Sequence, residues 1–250
     1  MIHSFVTRAF LTAGLLAAAS AAQGVIFESY RFTDSPLPLN PVDGGGVPVT
    51  DTRILDSNII ALTDVNVVLR LTNPTQGGAY NGDFLVTLVN DNGFAVLLNR
   101  VGRRDGVLPS ETLGYSDNGF DVVFDDDAAN GDVHVYRLTL EGSHTAPIDP
   151  LFNAPLTGTW APDGRSPLAG TPVIGVPRTE LLSSFNGSAA SGAWTLSVAD
   201  LNVGGTATLF EWGLDLVGTP VPEPEWAAVV LLLGALGWHR WMRRSGAARV

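Results

Sequence analysis

Asp125-Asp126-Asp127, with Asp121 and Asp132 close by, is the densest group of ligating side chains in the sequence. Calcium takes roughly six to eight oxygens, commonly from clustered Asp and backbone carbonyls. Adjacent carboxylates repel one another, and a cation relieves that repulsion. Asp125, Asp126 and Asp127 are therefore candidate calcium ligands, and calcium is the one cofactor the sequence suggests. Successive residues of a strand face opposite ways, so the three converge on one ion only where the chain bends; a solvated acidic turn is the plainer reading. A Ser-His-Asp hydrolase needs a histidine oriented by a carboxylate and set against a serine. Between residues 23 and 222 the histidines are His134 and His144 alone. No Gly-x-Ser-x-Gly elbow, phosphate loop or paired-histidine zinc motif accompanies them. Cysteine is absent, which excludes thiol nucleophiles, disulfides and Cys-bound zinc. Asn186-Gly187-Ser188 spells a glycosylation sequon, but Asn-Gly is first of all a turn. These residues point to a protein without catalytic machinery.

The elements that must position them are strands. Val65, Val67, Leu69 and Leu71 alternate with Asn66, Val68, Arg70 and Thr72. Phe84 to Val89 is a continuous apolar run of the kind expected of a strand buried on both faces. Asp91-Asn92-Gly93 then turns the chain into Phe94–Leu98, a hairpin. Val133, Val135, Arg137 and Thr139 alternate with His134, Tyr136, Leu138 and Leu140, which predicts another strand carrying His134. Trp194, Leu196 and Val198 share one face; Phe210, Trp212, Leu214 and Leu216 share another, with Asn202–Gly205 as the turn between. With abundant Gly and Pro and no helical period, the expected fold is all-β, an antiparallel sandwich of the jelly-roll kind over residues 51–218. Residues 23–50, rich in Pro and Gly, read as a lead-in.

Every basic residue is Arg, and residues 23–222 carry 23 acidic groups against 9 Arg, a net charge of −14. Such a body repels phosphate backbones, so nucleic acid is excluded as a partner.

The two ends differ from the body. Residues 1–22 read as a signal peptide, with Arg8, an apolar run from Phe10 to Ala19, and small residues at Ala19-Ser20-Ala21-Ala22. Near the other end Val221-Pro222-Glu223-Pro224 precedes an apolar stretch from Trp226, expected as a helix over 226–242, and then His239, Arg240, Arg243 and Arg244. Arg after the stretch holds that end in the cytoplasm, while the prolines keep the motif extended. An uncleaved single span is the alternative these residues leave open. The order of motif, apolar helix and basic end over 219–250 resembles the PEP-CTERM sorting signal of Gram-negative bacteria. The resemblance implies recognition of Val221, Pro222, Glu223 and Pro224 by an exosortase-type enzyme after signal peptidase has acted. It also implies transient inner-membrane anchoring through the helix, and delivery to the cell surface or the extracellular biofilm matrix.

The body carries a second resemblance. Ile60–Leu71 reads Ile-Ile-Ala-Leu-Thr-Asp-Val-Asn-Val-Val-Leu-Arg-Leu with Ile59. Gly82-Asp83-Phe84-Leu85-Val86-Thr87-Leu88 follows, with Leu97-Leu98-Asn99-Arg100-Val101-Gly102 after it. Phe124-Asp125-Asp126-Asp127-Ala128, Leu182-Ser183-Ser184-Phe185-Asn186-Gly187, Gly192-Ala193-Trp194-Thr195-Leu196 and Leu209-Phe210-Glu211-Trp212-Gly213-Leu214 complete the set. In this order they resemble the P domain (P/Homo B) of kexin- and furin-like proprotein convertases. That family implies a β-sandwich that stabilises an adjoining subtilisin-like protease, and no protease accompanies it in this sequence. The expected function is thus a non-enzymatic surface or exopolysaccharide-matrix protein with the sandwich as a binding or structural module. An accessory domain for a separately encoded secreted subtilisin-like protease is the alternative, and a hydrolase with an unrecognised site ranks behind both.

Overall fold

A computed structural model describes residues 24–34, 37–39, 47–73, 78–106, 108–149, 153–167, 174–221 and 224–246. The signal-peptide expectation for residues 1–22 lies outside them, as do Pro222 and Glu223 of the sorting motif.

Two sheets face each other. One contains β1 (Ile26–Phe32), β10 (Ala207–Pro220), β4 (Ile59–Thr72), β7 (Gly119–Phe124) and β8 (Leu156–Trp160) in that order, with the short β2 (Leu37–Leu39) also against β10. The other runs β3 (Val49–Leu55), β9 (Gly192–Asp200), β5 (Phe84–Val89), β6 (Phe94–Asn99). The all-β sandwich expected from the alternation is what forms. All pairings of named strands are antiparallel except β7 with β8, which run parallel. The sandwich also begins earlier than residue 51. β1 pairs along its whole length with β10, Ile26 opposite Gly218 through Phe32 opposite Trp212, so part of the expected lead-in is an edge strand.

The core lies between the sheets because period-two alternation puts one side of each strand there. Val65, Val67, Leu69 and Leu71 of β4 are buried, as are Trp194, Leu196 and Val198 of β9 and Trp212, Leu214 and Leu216 of β10. A register shift between Leu209 and Glu211 makes Leu209, not Phe210, the next buried residue of β10. A bulge inserts one residue and so reverses which side chains point inward beyond it. The run Phe84–Val89 is not buried on both faces: Phe84, Val86 and Leu88 are buried while Val89 is exposed. The doubly buried strand is its hairpin partner β6. Its free side is covered by the chain after β8, with Asp163 N donating to Leu97 O and Val96 N to Glu180 O.

The expected strand at 133–140 is helical. A 3₁₀ turn over Val133–Val135 leads into α2 (Tyr136–Glu141). Asp132 caps its start by accepting from His134 N, and Gly142, with φ of 66°, closes its end. An acceptor side chain at the start and a left-handed glycine at the end are helix signals that outweigh alternation over so few residues. Before it, α1 (Pro109–Thr112) is a single turn.

After the sandwich, α3 spans Pro224–Gly246. The expectation of a transmembrane helix is not met: among the described residues no helix is long and apolar enough to cross a membrane. The basic run beginning at His239 ends the apolar stretch well short of the ~20 residues a span needs.

Candidate functional site

The chemistry-bearing side chains fall into four places. The aspartate run follows β7, at one end of the sandwich. Asp126 accepts from Leu182 N (3.1 Å) and Ser183 N (2.8 Å), one bond to each carboxylate oxygen, and so caps the 3₁₀ turn Leu182–Phe185. Asp125 turns back on its own loop, accepting from Asp127 N at 2.8 Å, and Asp127 itself is exposed. Asp64 joins them at a concavity that also holds Ser183 and Asn186; burial first, then the neighbouring aspartates, raise its carboxyl above the usual range. Both oxygens of Asp126 are taken by amide donors and one oxygen of Asp125 by Asp127 N, so the run is engaged first with its own loop and the 182–185 turn. Among the described residues no three acidic or histidine side chains are grouped to hold a metal ion. Asn186 of the sequon lies in the turn that closes on Ser183 O.

The second place is His134, which is fully buried. Its Nδ1 meets Asp163 Oδ2 at 2.7 Å and its Nε2 meets Arg103 O at 2.9 Å, so both ring nitrogens are occupied. Asp163 also receives Arg165, whose guanidinium forks onto Asp132 at 2.7 and 3.3 Å. This network pins the loop after β8 to the start of the 133–141 helical segment. A histidine saturated on both nitrogens has no lone pair to offer a serine, and His134 is structural.

The third lies beside it. Asp117, buried, accepts from Tyr136 Oη, from Arg137 Nε (2.6 Å) and from Ile148 N (3.2 Å). Asn81 donates to Tyr136 Oη (3.0 Å) and pairs with both the N–H and the carbonyl of Gly119. Burial, with Asp117 next to it, holds the Tyr136 phenol well above its ordinary value. Three loops thereby become one rigid block.

On that block stands the fourth place, a cavity of about 490 Å³ at the opposite end of the sandwich from the aspartate run. The loop from β4 to β5, the loop from β6 to β7 and the β9–β10 turn meet there. Gly82 permits the approach: a Cβ on it would lie 2.3 Å from Leu113 O. Tyr80 and Tyr115 wall the cavity with rings, and Asp83, Arg137, His144 and Asn202 supply polar groups. Tyr115 Oη bonds His144 Nδ1 at 2.6 Å, and the Arg137 guanidinium lies 4.8 Å from the Tyr115 ring centre. Asn202 Nδ2 donates to Asp83 Oδ1 at 2.6 Å, and Arg100 Nη2 donates to Asn202 Oδ1 at 3.1 Å. Burial lowers His144 from its usual value, helped by Arg104 and His134. Burial also raises Asp83, and raises nearby Asp200 to about 6. His144, one of the two histidines of the body, thus lines the cavity with its Nδ1 held by Tyr115.

The sequence reading missed Tyr80, Asp83, Tyr115 and the arginines here. Its available signal was Arg100, Arg103 and Arg104 within five positions of an otherwise acidic body. Of the sorting motif, Val221 is exposed and its N–H donates to Asn58 O at 2.8 Å, while Pro224 opens α3.

No family model matches this chain, and no curated protein matches it. Among solved structures, a chain from the crystal structure of the Aeromonas sobria serine protease and chaperone complex is similar over 79% of this chain, with 14% identity and a TM-score of 0.38. This chain spans 28% of the length of that one.

Proposed function

We propose that this protein is an exported, non-enzymatic binding module. Its rigid β-sandwich presents the Tyr80–Tyr115 cavity to a ligand at the cell surface or in the exopolysaccharide matrix. The cavity carries the reading. Its polar side chains are already tied to protein partners: Arg137 to Asp117, His144 to Tyr115, Asp83 to Asn202. Groups fixed in this way recognise a ligand at little entropic cost and are not poised as nucleophile and base. The segments that resemble convertase P domains fall on β4, β5, β6, β9 and β10, which supports the sandwich as the module; that family's role beside a protease favours the second reading below. Export by a signal peptide and release by processing at Val221–Pro224 belong to the proposal. Intact mass of the protein from its host's surface should lack residues near 1–22 and those after roughly 222; retention of Trp226–Val250 would leave a tethered module instead.

A second reading, an accessory for a separately encoded secreted subtilisin-like protease, is favoured by two of the sandwich's edge strands. β1 and β3 end their sheets, and Phe27 and Ile54 on them are 62% and 75% exposed. Free edges and exposed apolar side chains suit a protein partner. Cross-linking on intact host cells separates the two: polysaccharide-bound protein supports the first, and a recovered subtilisin-like protease supports the second.

A further inference from the structure

Within this acidic body, Arg137 lines the cavity, and three more of the nine arginines stand behind its wall: Arg100 behind Asn202, Arg103 behind Gly114 and Arg104 near Tyr115. Arg137 is neutralised by Asp117, and Arg104 has Glu111 at 3.8 Å. Arg100 and Arg103 take part in no ion pair among the described residues, and the Nε of each is buried without a hydrogen-bond partner. Both stand against the cavity wall, Arg100 through its bond to Asn202 and Arg103 with its side chain beside Gly114. Burial lowers the proton affinity of each, with Asp83 as the opposing anion. Two partly desolvated cations that share the one carboxylate of Asp83, itself bonded to Asn202, are costly unless further negative charge completes them.

Backbone strain falls in the same place. Tyr80 and Arg100, with φ of 52° and 53°, are the non-glycine residues in the left-handed region among those described. Strain of this kind costs on the order of 1 kcal/mol or more per residue and gathers at binding sites. Tyr80 spends it on aiming a ring along the cavity, and the turn opposite is cut away to receive it: a Cβ on Gly205 would lie 2.8 Å from that ring.

We infer that the cavity binds a carboxylate-bearing sugar unit, a uronic acid residue of an acidic polysaccharide. Its ring would lie against Tyr80 and Tyr115, and its carboxylate would meet Arg100 and Arg103. The inference rests on the binding-module reading and names its ligand. The volume lies within the roughly 300–1,000 Å³ range of small-ligand sites. The walls pair aromatic faces and Leu113 and Val203 with a few fixed polar groups, which suits a pyranose with its apolar face and rim of hydroxyls. An extended peptide that adds a strand fits less well, because that mode needs a free strand edge and this cavity is built from loops and turns.

The test titrates the full chain in detergent with tetragalacturonate and with the neutral maltotetraose, following tyrosine and tryptophan fluorescence. Tetragalacturonate should bind, more weakly as salt rises, and maltotetraose should not. Arg103→Gln should weaken tetragalacturonate binding roughly tenfold or more, since a hydrogen bond to a charged group is lost. Tyr80→Gly relieves the left-handed strain, so it should melt no lower than the parent chain while losing the sugar. Equal binding of both sugars with no effect of Arg103→Gln overturns the acidic-sugar inference and leaves a binding module. Binding of neither sugar to a chain with the parent melting temperature also overturns it. The module reading then stands or falls on the cross-linking result.

Discussion

Replacing Asp200 with Asn should stabilise this protein at neutral pH and flatten its response to acid. Asp200 ends β9 with 3% of its surface exposed. Asn202 N donates to its Oδ1 at 3.3 Å, while Oδ2 has no partner. Burial and then the nearby Asp83 carboxylate carry it from 3.8 to about 6. With the folded-state value above the unfolded one, the folded chain holds the extra proton between pH ~4 and ~6. Stability therefore falls as pH rises through that window and stays low above it. A shift of roughly two units corresponds to about 3 kcal/mol. Asn keeps the Oδ1 acceptor but leaves its own amide poorly partnered, so about 1–2 kcal/mol of that should be recovered at pH 8. In a domain of this size this raises the melting temperature by roughly 2–8 °C. Differential scanning calorimetry of parent and variant at pH 4, 6 and 8 reads it directly, with the gap largest at pH 8 and closing at pH 4. A variant melting at or below the parent at pH 8, or one retaining the parent's slope between pH 4 and 6, would refute the claim that a buried charge at Asp200 is what destabilises.

Asp117→Ala should cost about 3–5 kcal/mol in urea denaturation, because it strands the buried Arg137 guanidinium and the Tyr136 hydroxyl together. Asp126→Ala should cost only about 1 kcal/mol by the same assay, the loss of a cap on the 182–185 turn. Calcium should not raise the parent's melting temperature if that cap is the role of the aspartate run. Gly82→Ala places a methyl 2.3 Å from Leu113 O and 2.7 Å from Gly114 Cα. It should destabilise by about 1–3 kcal/mol and open the cavity wall, seen as faster amide exchange at Gly82 and Tyr115.

Fold class was legible because period-two alternation needs only neighbouring residues. Val65 to Leu71 and Trp194 to Val198 announce their buried faces without help from the rest of the chain. The proposed export and sorting rest on the same kind of local reading, of contiguous motifs at 1–22 and 221–244. Short-range reading failed where two local signals competed. At 133–140 the alternation of Val and Leu hid a helix that Asp132 and Gly142 delimit. At Phe210 a bulge moved the inward face to Leu209.

The site was not legible, and the reason is separation along the chain. Sequence alone determined the charge balance, the absence of cysteine, the strand pattern and the arginine cluster at 100–104. Only the tertiary structure brought Tyr80 to the β9–β10 turn, Asp83 to Asn202, and Asp117 to Arg137, 20 positions away. It also gave the aspartates that looked most like a site a partner in the fold, turning Asp126 toward amides 56 and 57 positions on. Hydrogen-bond donors and carboxylates find partners by position in space, while a linear pattern records only what adjacent residues share; a run of like residues is therefore legible as composition, and its use is decided by whatever the sheets carry up beside it.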